Sequence, residues 1–188
     1  MSKQTKFGEE EEIKKVEKLS LKTAEDIAGI VVSLVDAWCK KIEVVGSIRR
    51  KKPEVRDIDF LVLPSDWKSL KDTMITMARV KVVLSGDKVF RTLMPLEGGE
   101  WVQVDFYKTE PETYGILKLI RTGSAEHNVW LAKLAIKKGM RLHYSQGLTQ
   151  DGKVIAGSEE KEVFDALGLE YVAPSEREIV NRKPVWLK

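Results

Sequence analysis

The chain has 188 residues, 43% of them hydrophobic, a formal net charge of +3 and a single cysteine, Cys39. That length holds one domain with a substantial core, or two small lobes that share one site, and one cysteine excludes an internal disulfide and a thiolate metal cage. No apolar run approaches the roughly 20 residues of a membrane span, and the opening MSKQTKFGEEEE lacks the apolar stretch of a secretory signal, so a cytoplasmic protein is expected, or one of a nucleoid or virus.

Residues 8–20, GEEEEIKKVEKLS, read as a short helix or frayed arm, since a block of four glutamates is usually a solvated face. Ser20 to Lys41 reads as one helix, capped at Ser20 or Thr23, acidic at Glu25 and Asp26, and basic at Lys40 and Lys41, where the dipole favours cations. Its apolar residues Ile27, Ile30, Val31, Leu34, Val35 and Trp38 recur at helical spacing and place Cys39 on the apolar side. IEVVGS, RDIDFLVLP, VKVVLSGDKVFRTLMPL and EWVQVDFYK then read as short strands of a mostly antiparallel sheet, with LEGGE as a hairpin turn. SDWKSLKDTMITMARV has helical spacing, so the first lobe is an α+β layout with helices on one face of the sheet.

The texture changes at Thr113. ETYGILKLIRTGSAEHNVWLAKLAIKKGM holds two helical patterns broken at Thr122-Gly123-Ser124, RLHYSQGLTQDGKVIA reads as a hairpin turned at Asp151-Gly152, and SEEKEVFDALGLE reads as a helix capped at Ser158. The expected division is residues 1–112 as an N-terminal arm with a sheet domain, and 113–188 as a smaller α/β lobe. Residues 1–112 hold 20 cations and 20 anions, and 113–188 hold 12 and 9, a mildly basic balance that is compatible with a polyanionic partner.

Asp57 and Asp59 stand two apart on an expected strand, hence on one face, about 6.5–7 Å apart at Cα by strand rise. Two such carboxylates repel each other until a cation arrives, and magnesium prefers oxygen ligands completed by phosphate and water. In EWVQVDFYK, alternation puts Val102, Val104 and Phe106 on one face and Trp101, Gln103, Asp105 and Tyr107 on the other. If this strand lies beside the first, Asp105 completes a three-carboxylate cluster for two ions. The plainer alternative is a chance Asp-x-Asp and a surface aspartate. Upstream, the Gly46-Ser47 turn offers backbone N–H groups and a hydroxyl to an anion, and Arg50 supplies a guanidinium that clamps phosphate oxygens.

These residues resemble the nucleotidyltransferases of the DNA polymerase beta type, family X: Gly46, Ser47 and Arg50 as Gly-Ser-x-x-Arg, then Asp57-Ile58-Asp59 with Phe60, Leu61 and Val62. The resemblance continues through RTGSAEHN, with Thr122, Gly123, Ser124 and Asn128 in the place of the family's nucleotide-binding turn, and covers residues 42 to about 182. It implies a nucleotidyltransferase palm followed by a thumb-like lobe, in a reduced form similar to a small viral polymerase of comparable length, without the lyase module of larger members. It also implies a cis bond at Gly-Ser and two Mg2+ ions, or Mn2+, held by Asp57, Asp59 and Asp105. Asp105 is then the acceptor of the primer 3′-hydroxyl proton, Ser47 and Arg50 hold the outer phosphates, and Asn128 meets the minor-groove edge. Ile120 and Arg121 depart from the family's aromatic pair, which leaves the choice between deoxy- and ribonucleotides open.

The basic residues Lys133, Lys137, Lys138 and Arg141 form a solvated face or a hold on template phosphates. His127 stands within reach of a nucleotide, whereas His143 reads as a strand residue. Trp38 and Trp130 read as core, Trp67 and Trp101 as edge or surface, and Trp186 lies in the tail. The expected function is a metal-dependent DNA polymerase of family X type, a monomer acting on gapped or primed DNA with nucleoside triphosphates in short-gap repair. The rivals are a template-independent, RNA-end or small-molecule nucleotidyltransferase of the same superfold, and a non-catalytic DNA-end-binding protein.

Overall fold

The computed structural model describes residues 15–77, 79–180 and 183–184; the glutamate run and Trp186 lie outside them. A short strand β1 (Leu19–Ser20) leads into helix α1 (Leu21–Val35), where the Ser20 hydroxyl accepts from the Thr23 N–H at 3.1 Å, the cap expected for serine. The helix ends well before Lys41. A 3₁₀ turn, Asp36–Trp38, intervenes, and Cys39–Val44 is strand β2 at the sheet edge. Lys40 and Lys41 suit an exposed edge strand as well as a helix C-terminus, so the charge pattern misplaces this boundary. The buried stripe of α1 is Ala24, Ala28, Val31 and Val35, while Ile30, Leu34 and Trp38 are partly exposed.

After helix α2 (Gly46–Arg49) and the short β3 (Glu54–Val55) come β4 (Asp57–Pro64), helix α3 (Trp67–Thr76), β5 (Lys81–Ser85), β6 (Val89–Pro95) and β7 (Trp101–Lys108). Five strands form one sheet in the order β2-β4-β7-β6-β5, and only β4 and β7 run parallel. Alternation assigns the faces: Ile58, Phe60 and Val62 of β4 and Val102, Val104 and Phe106 of β7 pack with Ala28, Val31, Leu70 and Met74 of α1 and α3. Phe106 stacks between Phe60 at 5.2 Å and Phe90 at 5.8 Å. Losing such a fully buried ring costs about 3–5 kcal/mol.

Helix α4 (Tyr114–Thr122), helix α5 (Ala125–Lys137), strands β8 (Met140–His143), β9 (Gly147–Gln150) and β10 (Lys153–Ala156), and helix α6 (Glu160–Ala166) complete the second half. The three strands form their own antiparallel sheet, with a turn at Asp151-Gly152 where both residues take positive φ. The α6 cap is Glu159, in a reciprocal capping box with Glu162, one residue beyond the expected Ser158; the Ser158 hydroxyl donates to Glu162 instead. A second core gathers Ile116, Leu119, Leu131, Val163, Phe164 and Leu167. A third, small cluster of Val45, Leu61, Tyr107, Tyr114 and Leu117 seats α4 on the far face of the main sheet. Asp57 and Asp59 precede Leu61 on that same face, and Asp105 precedes Tyr107. The architecture is thus the expected mixed α/β arrangement of a mostly antiparallel sheet and a smaller helical and stranded lobe.

Candidate active site

Strands β4 and β7 pair in a register that sets Asp59 directly beside Asp105, with Asp57 opposite Gln103. The three carboxylates therefore project from one face of adjacent strands. The Asp59 carboxyl is pushed up to about 7, first by burial and then by the charges of Asp57 and Asp105. Asp57 is raised for the same reasons, burial first and then Asp105. Negative charge is therefore concentrated here without full compensation.

Gly46 presses against this cluster. Its φ is +62°, and a Cβ there would lie 2.1 Å from Asp59 Oδ2, so the position takes only glycine. The Val45 N–H donates to the Asp59 carbonyl at 2.8 Å, tying the turn to the strand. The Ser47 hydroxyl is buried with no hydrogen-bond partner among the described residues. An orphaned hydroxyl beside a carboxylate cluster is the kind of polar group a ligand satisfies.

Asp105 is only 1% exposed and is fully engaged. Arg91, directly opposite on β6, donates from Nε to Oδ1 at 2.7 Å and from Nη2 to Oδ2 at 2.7 Å. The Tyr107 hydroxyl donates to Oδ2 at 3.0 Å and Gln103 Nε2 to Oδ2 at 3.3 Å, while Lys15 donates to Gln103 Oε1 at 3.1 Å. Arg91 escaped the motif reading. The signal was present, because counting residue for residue outward from the hairpin pair Pro95–Trp101 sets Arg91 against Asp105.

The arginines after the Gly-Ser turn face the second lobe. Arg49 makes a bidentate pair with Glu160 at 2.9 and 2.7 Å and donates to the Thr122 hydroxyl at 2.6 Å. Arg50 donates from Nε to Glu178 at 3.0 Å and from Nη1 to the Thr122 carbonyl, which leaves Nη2 for a further acceptor. The Gly123–Ser124 bond is cis, as the resemblance implied, and Gly123 takes a φ of +76° with Arg50 against it. Ser124 caps α5, accepting from the His127 N–H at 3.3 Å. Asn128 Nδ2 donates to the Ile120 carbonyl at 2.8 Å, and its Oδ1 is buried beside His127.

His127 does not line the site. It is 0% exposed, its ring 6.0 Å from Phe164, and burial followed by the charge of Arg177 lowers it to about 4. Trp101 is buried, with Lys81 4.4 Å over its ring, and Trp38 is partly exposed, donating to Thr73; both reverse the expectation. Lys133, Lys137, Lys138 and Arg141 are exposed, and none is ion-paired among the described residues. Lys133 and Lys137 lie on the C-terminal half of α5, Lys138 is its C-cap, and Arg141 is on β8.

Among the described residues, one opening reaches the carboxylates and a larger one lies beyond Tyr107. A cavity of about 220 Å³ touches Asp57 and is lined by Lys15, Arg56, Trp101 and Gln103. A larger cleft of about 680 Å³ adjoins Tyr107 and Arg121, whose guanidinium lies 3.8 Å over the Tyr107 ring, and includes Lys88, Leu117 and Tyr144. For a divalent cation, Asp57, Asp59 and Asp105 offer hard oxygen donors on one face, and the uncompensated charge on Asp59 is what a cation would relieve. The oxygen chemistry of the three carboxylates suits such an ion, while among the described residues no group of three or more His, Cys, Asp or Glu side chains is already gathered closely enough to hold one.

Residues 117–178 match the family model of the DNA polymerase beta thumb. The chain is 25% identical over 140 residues to the DNA polymerase/3′-5′ exonuclease PolX of Bacillus subtilis, covering 73% of this chain and 24% of that protein. It is 29% identical over 90 residues to DNA polymerase IV of Saccharomyces cerevisiae, 48% of this chain and 15% of the relative. It therefore spans about a quarter or less of the curated relatives it matches. Its fold is shared with Leishmania infantum polymerase beta, solved as a ternary P/T complex, at a TM-score of 0.76 and 19% identity over 87% of this chain and 77% of that one. With the thumb match in its second half and the polymerase relatives spanning more of it, the chain is similar to family X DNA polymerases in sequence and shares the polymerase beta fold.

Proposed function

We propose that this protein adds nucleotides to the 3′-hydroxyl of a DNA primer with release of pyrophosphate, filling short gaps as a family X polymerase. The observation that carries the reading is the parallel pairing of β4 with β7, which sets Asp59 beside Asp105 under the Gly46-Ser47 turn. Asp57 and Asp59, with Asp105, would hold two Mg2+ ions, or Mn2+. When bound, such ions neutralise phosphate charge and make the attacking oxygen more acidic.

The chain's own residues do the rest by positioning, which dominates phosphoryl-transfer catalysis. The Ser47 hydroxyl, orphaned among the described residues, donates to a phosphate oxygen, and Arg50 adds Nη2, which has no acceptor among them. Asp105 accepts the proton of the primer hydroxyl at Oδ1, which among the described residues holds a single hydrogen bond, whereas Oδ2 holds three. Asn128, beside the Gly123–Ser124 turn, would supply the contact to the base or sugar edge. Lys133, Lys137, Lys138 and Arg141 hold template phosphates by counterion release. In this reading residues 1–112 form the arm and palm and residues 113–188 the nucleotide- and DNA-contacting lobe of a monomer. Among the described residues no helix is long and apolar enough to cross a membrane.

The test is extension of a labelled primer on DNA with a one-nucleotide gap, with Mg2+ and each dNTP, wild type beside Asp105→Ala. Templated incorporation that disappears in the variant supports the reading. Untemplated addition would move the protein to the terminal-transferase branch, and DNA binding with no addition would make it a non-catalytic end-binding protein.

A further inference from the structure

A carboxylate accepts about four hydrogen bonds. Asp105 already receives four contacts, three of them on Oδ2 and one on Oδ1. The strongest donor is a full positive charge: Arg91 grips both oxygens in the fork geometry that makes guanidinium–carboxylate pairs short and directional. Arg91 comes from β6, the neighbour of β7 on the side away from Asp59, so Asp105 lies between a cation on one strand and an anion on the other. The Arg91 side chain is 34% exposed although Asp105 is only 1% exposed, so the guanidinium has open space to move into without unpacking the core.

Asp57 and Asp59 have no such arginine among the described residues. The cluster is therefore held half-neutralised from one side, and Arg91 Nε sits on Oδ1, the Asp105 oxygen with fewer hydrogen bonds among the described residues. We propose that Arg91 is a positioning residue that serves as the built-in counter-ion of Asp105 and competes with a divalent cation for it, so that metal loading requires the Nε–Oδ1 bond to give way. Tyr107 and Gln103 keep hold of Oδ2 while this happens, so the carboxylate does not turn away when Arg91 lets go of Oδ1. This rests on the metal-site reading given above.

Arg91 thereby sets how much cation the site demands. The protein keeps its fold without metal because Arg91 stands in for part of it, and the cost is a weaker affinity for the ion. A purely structural arginine would give a different result, since its removal would loosen Asp105 and weaken metal binding.

The experiment measures Mn2+ binding by electron paramagnetic resonance, without DNA or nucleotide, for wild type, Arg91→Gln, Arg91→Lys and Asp59→Asn. The expected result is Mn2+ bound about tenfold or more tightly by Arg91→Gln, the scale of removing one unit charge a few ångströms from the ion. Arg91→Lys, which keeps the charge but loses the fork, should fall between it and wild type, and it keeps the test open if the glutamine variant does not fold. Melting temperature gives a second readout, lower than wild type for metal-free Arg91→Gln and raised more than wild type by Mn2+. Equal or weaker Mn2+ affinity in folded Arg91 variants, with Asp59→Asn still impaired, overturns the counter-ion proposal alone. Absence of Mn2+ binding in every protein overturns both it and the metal-site reading.

Discussion

Two groups of buried charge adjoin the short helix α2, and they are compensated differently. At its C-terminal end Arg49 joins Glu160, Arg177 and Tyr171: Glu160 accepts from Arg49, from Arg177 at 2.5 Å and from the Tyr171 hydroxyl at 3.0 Å, and Arg177, 0% exposed, also donates to the Val172 carbonyl. Burial alone would raise the Glu160 carboxyl, but Arg49 and Arg177 outweigh it and hold it at about 2. At the other end Gly46 covers Asp59, where burial and like charge push the carboxyl up to about 7. The first group is complete with the chain's own atoms. The second stays short of positive charge among the described residues, as the proposed ligand site requires.

Breaking the complete group should have the largest effect. Glu160→Gln leaves buried Arg177 and half-buried Arg49 facing a neutral amide, and should cost about 3–5 kcal/mol in urea unfolding at pH 7. A cost near zero would mean that the arginines find other partners and the two groups are alike. His127, packed beside the same group, gives the next effect. Its folded value of about 4 lies below the ordinary 6.5, so the unfolded chain takes up the proton first, and stability falls as pH drops from about 6.5 to about 4. The loss is on the order of 3 kcal/mol, and the difference between wild type and His127→Phe across pH 4–7 should show it.

The incomplete group should respond with the opposite sign. Asp59 is raised from 3.8 to about 7, so its protonated form favours the fold, and that contribution is lost as pH rises through this interval. Asp59→Asn should therefore stabilise the metal-free protein by about 1–3 kcal/mol at pH 8, with the gain shrinking towards pH 4. A destabilised variant at pH 8 would show that the repulsion is already balanced. The smallest effect lies outside both groups: Lys133→Ala should lower the salt dependence of DNA binding by about one phosphate contact, with no change in metal-free stability beyond about 0.5 kcal/mol. An unchanged salt slope would return Lys133 to an ordinary solvated face.

Much of the carboxylate site was legible because it depends on strand alternation, a local property. The i and i+2 spacing of Asp57 and Asp59 and the facing of Asp105 and Tyr107 away from Val104 and Phe106 follow from period two alone. The partner of each charge was not legible where it comes from far along the chain: Arg49 meets Glu160 111 residues later, and no periodicity encodes that. Arg91 is the intermediate case, since the LEGGE turn fixes the β6–β7 register and hence its place opposite Asp105. The end of α1 was misread because Lys40 and Lys41 satisfy both a helix dipole and an exposed edge strand, and only the pairing of Ile42 with Val62 and Val44 with Phe60 decides between them. Trp101 was misread because its Lys81 lid comes from another strand, not from its own segment.

The measurement that bears most directly on the central claim is the melting temperature at pH 8 with and without Mn2+, for wild type, Asp59→Asn and Glu160→Gln. If the carboxylate group awaits a divalent cation, Mn2+ raises the melting temperature of wild type and of Glu160→Gln alike, and leaves the already stabilised Asp59→Asn unmoved. An equal rise in Asp59→Asn, or no rise in wild type, would contradict it.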